Sequence, residues 1–197
     1  MGLLLAGLAI FFLIHLVPVY QTLRHRLIFG MGEAQYKIAF SLISLGALYL
    51  IVRGYGEARL VAPELFDPPA WTRHITMLLM LIAFIILAAA YIPSRIRDRV
   101  RHPMLAAVKI WAFAHLIANG DGASFLLFGS FLMYAVYDRI SVTRRGAMGP
   151  LGDRPGTLRG DIAVVVVGVA AYVAMLLWGH ELLIGVPLMA PMVDIPS

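Results

Sequence analysis

The chain has 197 residues, of which 61% are hydrophobic and only 14% are charged, and its formal net charge is +5. Soluble globular domains carry about a quarter charged residues, so this composition excludes an ordinary soluble domain and indicates a membrane protein. The chain has no cysteine. Disulfide bonds, thiolate metal sites and covalently attached c-type haem are therefore excluded.

Six apolar segments are each comparable with the roughly 20 residues needed to cross a bilayer core. They run from Gly2 to Tyr20, Tyr36 to Val52, Thr72 to Ile92, Pro103 to Ala118, Ala123 to Val136 and Ile162 to Trp178. We predict an all-α membrane protein in which residues 1–197 form a single domain, a bundle of six transmembrane helices. The first segment is interpreted as a retained span, since no Lys or Arg precedes it.

Glycines and small residues predict local structure between and within these segments. The fourth and fifth segments are short and are joined by Asn119-Gly120-Asp121-Gly122, which predicts a tight helical hairpin with glycines at positive φ; a re-entrant hairpin is the alternative. Residues 146–160 are rich in Gly and Pro and predict a flexible connection. Small residues in the first and last segments predict close helix packing at Ala6, Gly7, Gly168 and Ala171. The apolar tail from Gly179 onward is expected to lie on the outer surface as an interfacial segment.

Lysine and arginine are concentrated in three connections between the segments. These are the first-to-second, third-to-fourth and fifth-to-sixth connections, whereas the opposite side carries three arginines balanced by Glu57, Glu64 and Asp67. The positive-inside rule therefore predicts both termini on the non-cytoplasmic side. The basic residues form no continuous face, so we expect membrane lipids as their partners and no nucleic acid.

The stretch RHPMLAAVKIWAFAHLIANGD, from Arg101 to Asp121, places several polar residues in an apolar segment. On a helix, Trp111, His115 and Asn119 fall on one stripe, away from Lys109. A histidine deep in a span indicates a functional site by default, although a histidine satisfied by a hydroxyl or carbonyl of a neighbouring helix is the alternative. Asn119, one turn later, is a candidate to orient the imidazole.

The histidines favour haem over zinc. No two histidines have the i, i+4 spacing of a zinc-binding helix. Haem needs only one or two axial ligands from different helices inside an apolar and aromatic bundle. The sequence therefore permits haem b, with His115, His15 in the first span and His74 at the start of the third as candidate ligands of the iron, and Trp111 and Asn119 beside it.

The order of these landmarks resembles the NnrU family. The features that carry the resemblance are His15, Gly32-Glu33-Ala34-Gln35-Tyr36, His74, the R-H-P of residues 101–103 and the W-A-F-A-H-L-I-A-N-G-D of residues 111–121. That family comprises bacterial membrane proteins associated with expression of nitric oxide and nitrite reductases, and it is similar to plant 15-cis-ζ-carotene isomerase, a haem b membrane enzyme. The resemblance covers nearly the whole chain. It implies a haem-binding, multi-pass protein of the cytoplasmic (inner) membrane, with His115 and His15 at the positions of the isomerase relatives' histidines and His74 at a further matching position.

The identity of the second iron ligand stays open. His15 is expected near the cytoplasmic end of its span and His115 about 12 residues above the start of its own, so their depths differ by roughly 10 Å at 1.5 Å per residue. By depth, His74 and His115 are the better pair, and His15 and His102 would then form a separate inner pair. His115 belongs to both arrangements.

Three functions are compatible with these features. The resemblance implies an expression or maturation factor in nitrogen-oxide (denitrification) metabolism. The alternative is a haem-dependent cis-trans isomerase acting on a carotenoid-like polyene, an apolar small-molecule substrate that enters from the bilayer. A second alternative is a SAM-dependent membrane methyltransferase, because R-H-P also begins a motif of such enzymes, although Leu105 and Ala107 stand where those enzymes have tyrosine and glycine. The sequence specifies neither turnover, nor the oligomeric state, nor protein partners.

Overall fold

The computed structural model describes residues 1–147, 149 and 151–189, and every regular element in this part of the chain is helical. The predicted all-α class is confirmed. The helices are α1 (Gly2–Leu16), α2 (Gln21–Met31), α3 (Glu33–Ala58), α4 (Thr72–Ala88), α5 (Arg95–Val100), α6 (Pro103–Ala118), α7 (Gly122–Arg144), α8 (Leu158–Ala174) and α9 (His180–Ile184). A π-helical turn, Met175–Gly179, joins α8 to α9.

The helices pack side by side in a row, and the loops and short helices differ between the two ends of this bundle. α3 packs on α1, α1 on α7, α7 on α6, α6 on α4, and α4 on α8. One end, called the opposite end, contains the start of α1 and residues 59–71 and 119–122. Hydrogen bonds join the latter two segments, such as that from the Leu65 amide to the Gly120 carbonyl, 2.7 Å. The other end, called the basic end, contains α2, α5 and residues 146, 147, 149 and 151–157. α8 starts beside α5 at the basic end, and α9 finishes beside α3.

Several helices are suited to a membrane by length and composition. Three of the described helices are long and apolar enough to cross a bilayer, Glu33–Ala58, Gly122–Arg144 and Leu158–Ile184, and α1 with α2 makes a fourth if that bent pair is one span. α4 and α6 are shorter apolar helices. Leucines on α3 point away from the protein, with Leu42 65% and Leu45 66% exposed, as expected where lipid covers the surface. The membrane class follows, with three or four spans by this criterion against the six predicted.

Small residues bring the helices close together at two contacts. A Cβ added at Gly7 would lie 2.8 Å from the Ile51 backbone nitrogen on α3, and one at Gly168 would lie 2.5 Å from the Cα of Ile85 on α4. The predicted close packing is therefore confirmed at Gly7 and Gly168. Ala6 and Ala171 are exposed, so they take no part in these contacts.

The predicted hairpin between α6 and α7 is present, but its glycines serve another purpose. Neither Gly120 nor Gly122 has a positive φ, so that part of the prediction is wrong. A Cβ at Gly120 would lie 1.7 Å from the Phe66 carbonyl oxygen. Glycine is needed here because the 59–71 segment lies directly on the turn.

The connections are more ordered than predicted. Residues 21–31, expected as a charged connection, form α2, which is bent by 86° from α1. In the connection after α7, residues 151–157 contact α5, since the Gly156 amide donates to the Asp98 carboxylate at 2.9 Å. The last helix continues past Trp178 to Ile184. Residues 190–197 of the predicted interfacial tail lie outside the described residues.

Candidate histidine site

His115 is fixed by its own helix and by α7. Its Nδ1 lies 2.9 Å from the Trp111 carbonyl oxygen, and because a carbonyl only accepts hydrogen bonds, Nδ1 carries the proton. In a neutral imidazole, Nε2 then has the free lone pair, as a metal ligand requires. The ring is stacked on Phe128, with centroids 4.6 Å apart, and borders Trp111 at 5.5 Å. The helix therefore presents a single, defined ligand atom.

His15 is held in the same way near the end of α1. Its Nδ1 lies 2.7 Å from the Phe11 carbonyl oxygen, and its ring is stacked on Phe11 at 3.9 Å. The Tyr134 hydroxyl of α7 donates to the His15 carbonyl at 2.9 Å. This bond satisfies one of the carbonyls that a helix leaves free at its C-terminus, and it fixes the position of His15 against α7.

One aromatic cluster lies between the two histidines. It consists of Phe11, Phe12, Trp111, Phe128 and Phe131, contributed by α1, α6 and α7. Phe131 is central, with its ring centroid 5.1 Å from that of Phe11 and 5.4 Å from that of Trp111. Both histidines therefore border the same cluster, one on each side, and aromatic side chains fill the space between them.

His74 has the depth predicted for it but a different orientation. The Thr76 hydroxyl donates to the Ala114 carbonyl at 2.9 Å, which places the start of α4 beside the end of α6 and His74 near the level of His115. The His74 side chain is exposed, whereas His115 packs against α7. The structure thus matches these two histidines in depth without bringing their rings together.

The two residues predicted beside His115 have different contacts. Trp111 flanks the ring and orients it through its carbonyl group. Asn119 instead donates from its amide to the His115 backbone carbonyl at 2.8 Å. Asn119 thus caps the end of α6, and the orientation of the imidazole comes from Trp111.

His180 is a further histidine, which the sequence did not place among the candidate ligands. It is half-buried at the start of α9, and its Nδ1 lies 2.8 Å from the Val186 carbonyl oxygen. The π-helical turn just before His180 is a feature frequent at functional sites. Of His15 and His102, considered as an inner pair, only His102 lines the cavity at the basic end.

The residues fit haem in part. No group of three or more His, Cys, Asp or Glu suited to a metal ion occurs among the described residues, but haem iron needs only one or two axial ligands from the protein. Nε2 of His115 is a suitable ligand. Simultaneous ligation of one iron by His115 and His15 does not fit the packing, because Phe11, Phe131 and Trp111 separate the rings.

These features define a class, an all-helical membrane protein with half-buried histidines beside an aromatic cluster. The family model described as NnrU protein matches residues 3–188. The chain therefore belongs to the NnrU family, as the resemblance predicted. Neither the comparison with curated proteins nor the comparison with solved structures gives a match. The similarity to carotene isomerase stays a prediction.

Proposed function

We propose that this chain is a haem b-binding protein of the inner membrane that serves nitrogen-oxide (denitrification) metabolism as an expression or maturation factor. The observation that supports haem is the state of His115. Its Nδ1 is engaged by a backbone carbonyl, its Nε2 is available, and its ring is held against Phe128 inside an aromatic cluster. Metal-binding histidines commonly have this arrangement, because the second nitrogen fixes the tautomer.

We also propose that the chain crosses the membrane six times, with both termini outside. Support comes from the two ends of the bundle. α1 starts beside the end of α3, and the 59–71 segment lies on the α6–α7 turn, so these connections share the opposite end. The basic connections share the other end, which the positive-inside rule assigns to the cytoplasm. α4 and α6 each connect the two ends although they are short.

Each residue of the site has a defined part if haem binds. Bound haem would supply an iron able to change oxidation state and to bind small diatomic ligands. His115 would ligate the iron through Nε2, and the Trp111 carbonyl and the Phe128 ring would keep the imidazole oriented. His15 and His74 are the candidate second ligands from the sequence, and His180, half-buried at the start of α9, is a further candidate. The aromatic cluster would exclude water.

One observation favours the isomerase alternative. An apolar cavity of about 220 Å³ lies between α4 and α6, lined by Met80, Ala83, Phe84, Leu87, Ala107, Val108 and Trp111. It adjoins the residue that orients His115, so an apolar molecule bound there would lie close to the site. The methyltransferase alternative would use the R-H-P residues, which line a different cavity at the basic end.

The decisive experiment is a reduced-minus-oxidised optical spectrum of detergent-purified protein from cells supplied with haem. We expect a haem b signal near one haem per chain, lost in His115→Ala. Among His180→Ala, His15→Ala and His74→Ala, the variant whose iron changes spin state identifies the second ligand. His25→Ala is the matched control, because His25 is exposed on α2, and it should keep the wild-type spectrum.

Two results would overturn parts of this proposal. If the wild-type protein contains no haem, the proposed cofactor and the isomerase alternative are both wrong, and the role as a membrane expression or maturation factor remains. A normal spectrum in His115→Ala removes this residue as a ligand. The metabolic role is tested separately, because deletion of the chain from its host should lower the amounts of nitric oxide and nitrite reductase. Unchanged amounts would contradict that role.

A further inference from the structure

The basic end contains a second, larger cavity, distinct from the histidine site. Its volume is about 670 Å³, and it lies between α5, the start of α6, the end of α7 and residues 146, 147, 149 and 151–155. Neither His15 nor His115 lines it. The charged residues that line it are Arg97, Asp98, Arg101, Asp138, Arg139, Asp153 and Arg154. An inference about this cavity is therefore independent of whether the chain binds haem.

Two of these arginines have buried nitrogen atoms with no hydrogen-bond partner. Within the described residues, Nη1 of Arg97 and Nη1 of Arg139 are both unpartnered. Arg97 is well enclosed, since its side chain is only 14% exposed. A buried charged donor without an acceptor is costly, and such groups in a folded protein call for an explanation. The arrangement indicates that a group carrying acceptor atoms belongs in the cavity.

The acidic residues of the cavity do not satisfy these donors. Asp98 accepts from Nε and Nη2 of Arg97 and leaves Nη1 without a partner. Asp138 lies 3.7 Å from a nitrogen of Arg145. Asp153 forms no hydrogen bond or ion pair with Arg97 or Arg139 among the described residues, so both Nη1 atoms remain without an acceptor there.

The geometry points to a ligand with a phosphate group, and we propose that Arg97 of α5 and Arg139 of α7 bind it. Guanidinium groups match the spacing of phosphate oxygens and form two parallel hydrogen bonds. Nε and Nη2 of Arg97 are engaged with Asp98, so Arg97 offers its Nη1 and Arg139, on a different helix, offers its own Nη1 to one tetrahedral group. The cavity is larger than a phosphate, and apolar side chains such as Leu105 and Val142 also line it. The phosphate therefore belongs to a larger molecule, either an anionic lipid headgroup or a soluble phosphorylated compound.

Binding of pyrophosphate to lipid-depleted protein in non-ionic detergent, measured by calorimetry, tests the proposal. Arg97→Gln and Arg139→Gln should each weaken binding by about tenfold or more, because hydrogen bonds to charged groups contribute about 1.5–3 kcal/mol. Arg97→Lys and Arg139→Lys keep the charge but lose the paired hydrogen bonds, so they should also bind more weakly. These two variants keep the test valid if a glutamine variant fails to fold.

The matched controls are Arg99→Gln on α5 and Arg144→Gln on α7. Both arginines are exposed and neither lines the cavity, so these variants should bind pyrophosphate as the wild type does. If all variants, controls included, bound pyrophosphate equally weakly, the binding would come from the general positive charge of the surface, and the proposed site would be wrong.

Nanodiscs distinguish the two sources of phosphate. If the natural ligand is a lipid, phosphatidic acid in phosphatidylcholine discs should compete with pyrophosphate, and Arg97→Gln should remove the competition. If the ligand is soluble, pyrophosphate should bind equally in discs with and without phosphatidic acid. Absence of binding by both pyrophosphate and phosphatidic acid would overturn the proposal.

Discussion

At the scale of single residues, a buried chain of hydroxyl groups stabilises the helices beside His115. The Ser124 hydroxyl donates to the Asp121 carboxylate at 2.5 Å, so the Tyr55 hydroxyl, 2.8 Å from the Ser124 oxygen, must be the donor in that contact. The ring of Tyr55 also contacts Phe128, with centroids 5.9 Å apart. A tyrosine of α3 thus connects the start of α7 to the aromatic ring on which His115 stacks.

Tyr55→Phe should lower the free energy of unfolding by about 1 kcal/mol, since it removes one buried hydrogen bond and leaves the Ser124 oxygen without its donor. Equilibrium unfolding in mixed detergent micelles measures the change. Tyr49→Phe is the control, because Tyr49 lies on the same helix and is 65% exposed. If the two substitutions had the same effect, the proposed hydrogen bond would contribute nothing.

The sequence predicted the central residue of the site better than its partners. The position of His115 on the same face of α6 as Trp111 follows from helical periodicity, but His115 lies in the last turn of α6 and not deep in the helix as predicted. The role of Asn119 does not, because α6 ends at Ala118 and Asn119 is extended, with φ −127° and ψ 123°. The helical stripe that placed its amide beside the imidazole therefore stops one residue too early. The half-buried position of His180 requires the last helix to continue through a π-helical turn, and hydropathy does not reveal such a continuation.

At the scale of elements, α5 and the connection before α8 are joined through one carboxylate. Hydrogen bonds from Arg97 and then from the Gly156 amide hold the pKa of Asp98 below its ordinary value. A carboxyl whose folded pKa is depressed contributes stability that is complete above its unfolded pKa, about 4, and is lost as the pH falls through the folded value.

Acidification below about pH 4 should therefore release the 151–157 segment from α5. Limited proteolysis with a protease that is active from neutral to acidic pH, with its rate normalised at each pH to cleavage of an unfolded substrate, should show cleavage of this segment rising before the helices unfold. In Asp98→Asn, cleavage should be high already at neutral pH and should change little on acidification. If cleavage of the wild type were as independent of pH as that of Asp98→Asn, the Asp98 carboxylate would not be the group that holds this segment on α5.

The elements that were not predicted are those whose structure depends on contacts with other parts of the chain. Hydropathy located the apolar helices, since long apolar stretches have few alternatives in a membrane. It missed α2, whose Arg24, His25 and Arg26 are interleaved with apolar residues, and α5, which has only six residues. The 146–160 connection was predicted as flexible from its Gly and Pro content, whereas contacts with Ser94 and Asp98 hold it in place. Such contacts join residues far apart in the sequence.

At the scale of the whole molecule, charge and packing together predict which end of the bundle faces the cytoplasm. Glu64 lies in the segment that precedes α4 and Arg99 lies in α5, which follows it, and both are exposed. α4 is only 17 residues long, shorter than the roughly 20 residues of a typical span, so its crossing is the most demanding test of the six-span arrangement. If α4 spans the bilayer, these two positions lie on opposite sides.

Because the chain has no cysteine, single cysteines introduced as Glu64→Cys and Arg99→Cys can be labelled selectively in living cells. A membrane-impermeant maleimide added to the outside of spheroplasts should label Glu64→Cys and should reach Arg99→Cys only after lysis, since the positive-inside rule places the basic end inside. Labelling of both from outside would show that α4 does not cross. The reverse pattern would keep the crossing and invert the orientation, which would place the arginine-lined cavity outside the cell, where cytoplasmic phosphorylated compounds could not reach it.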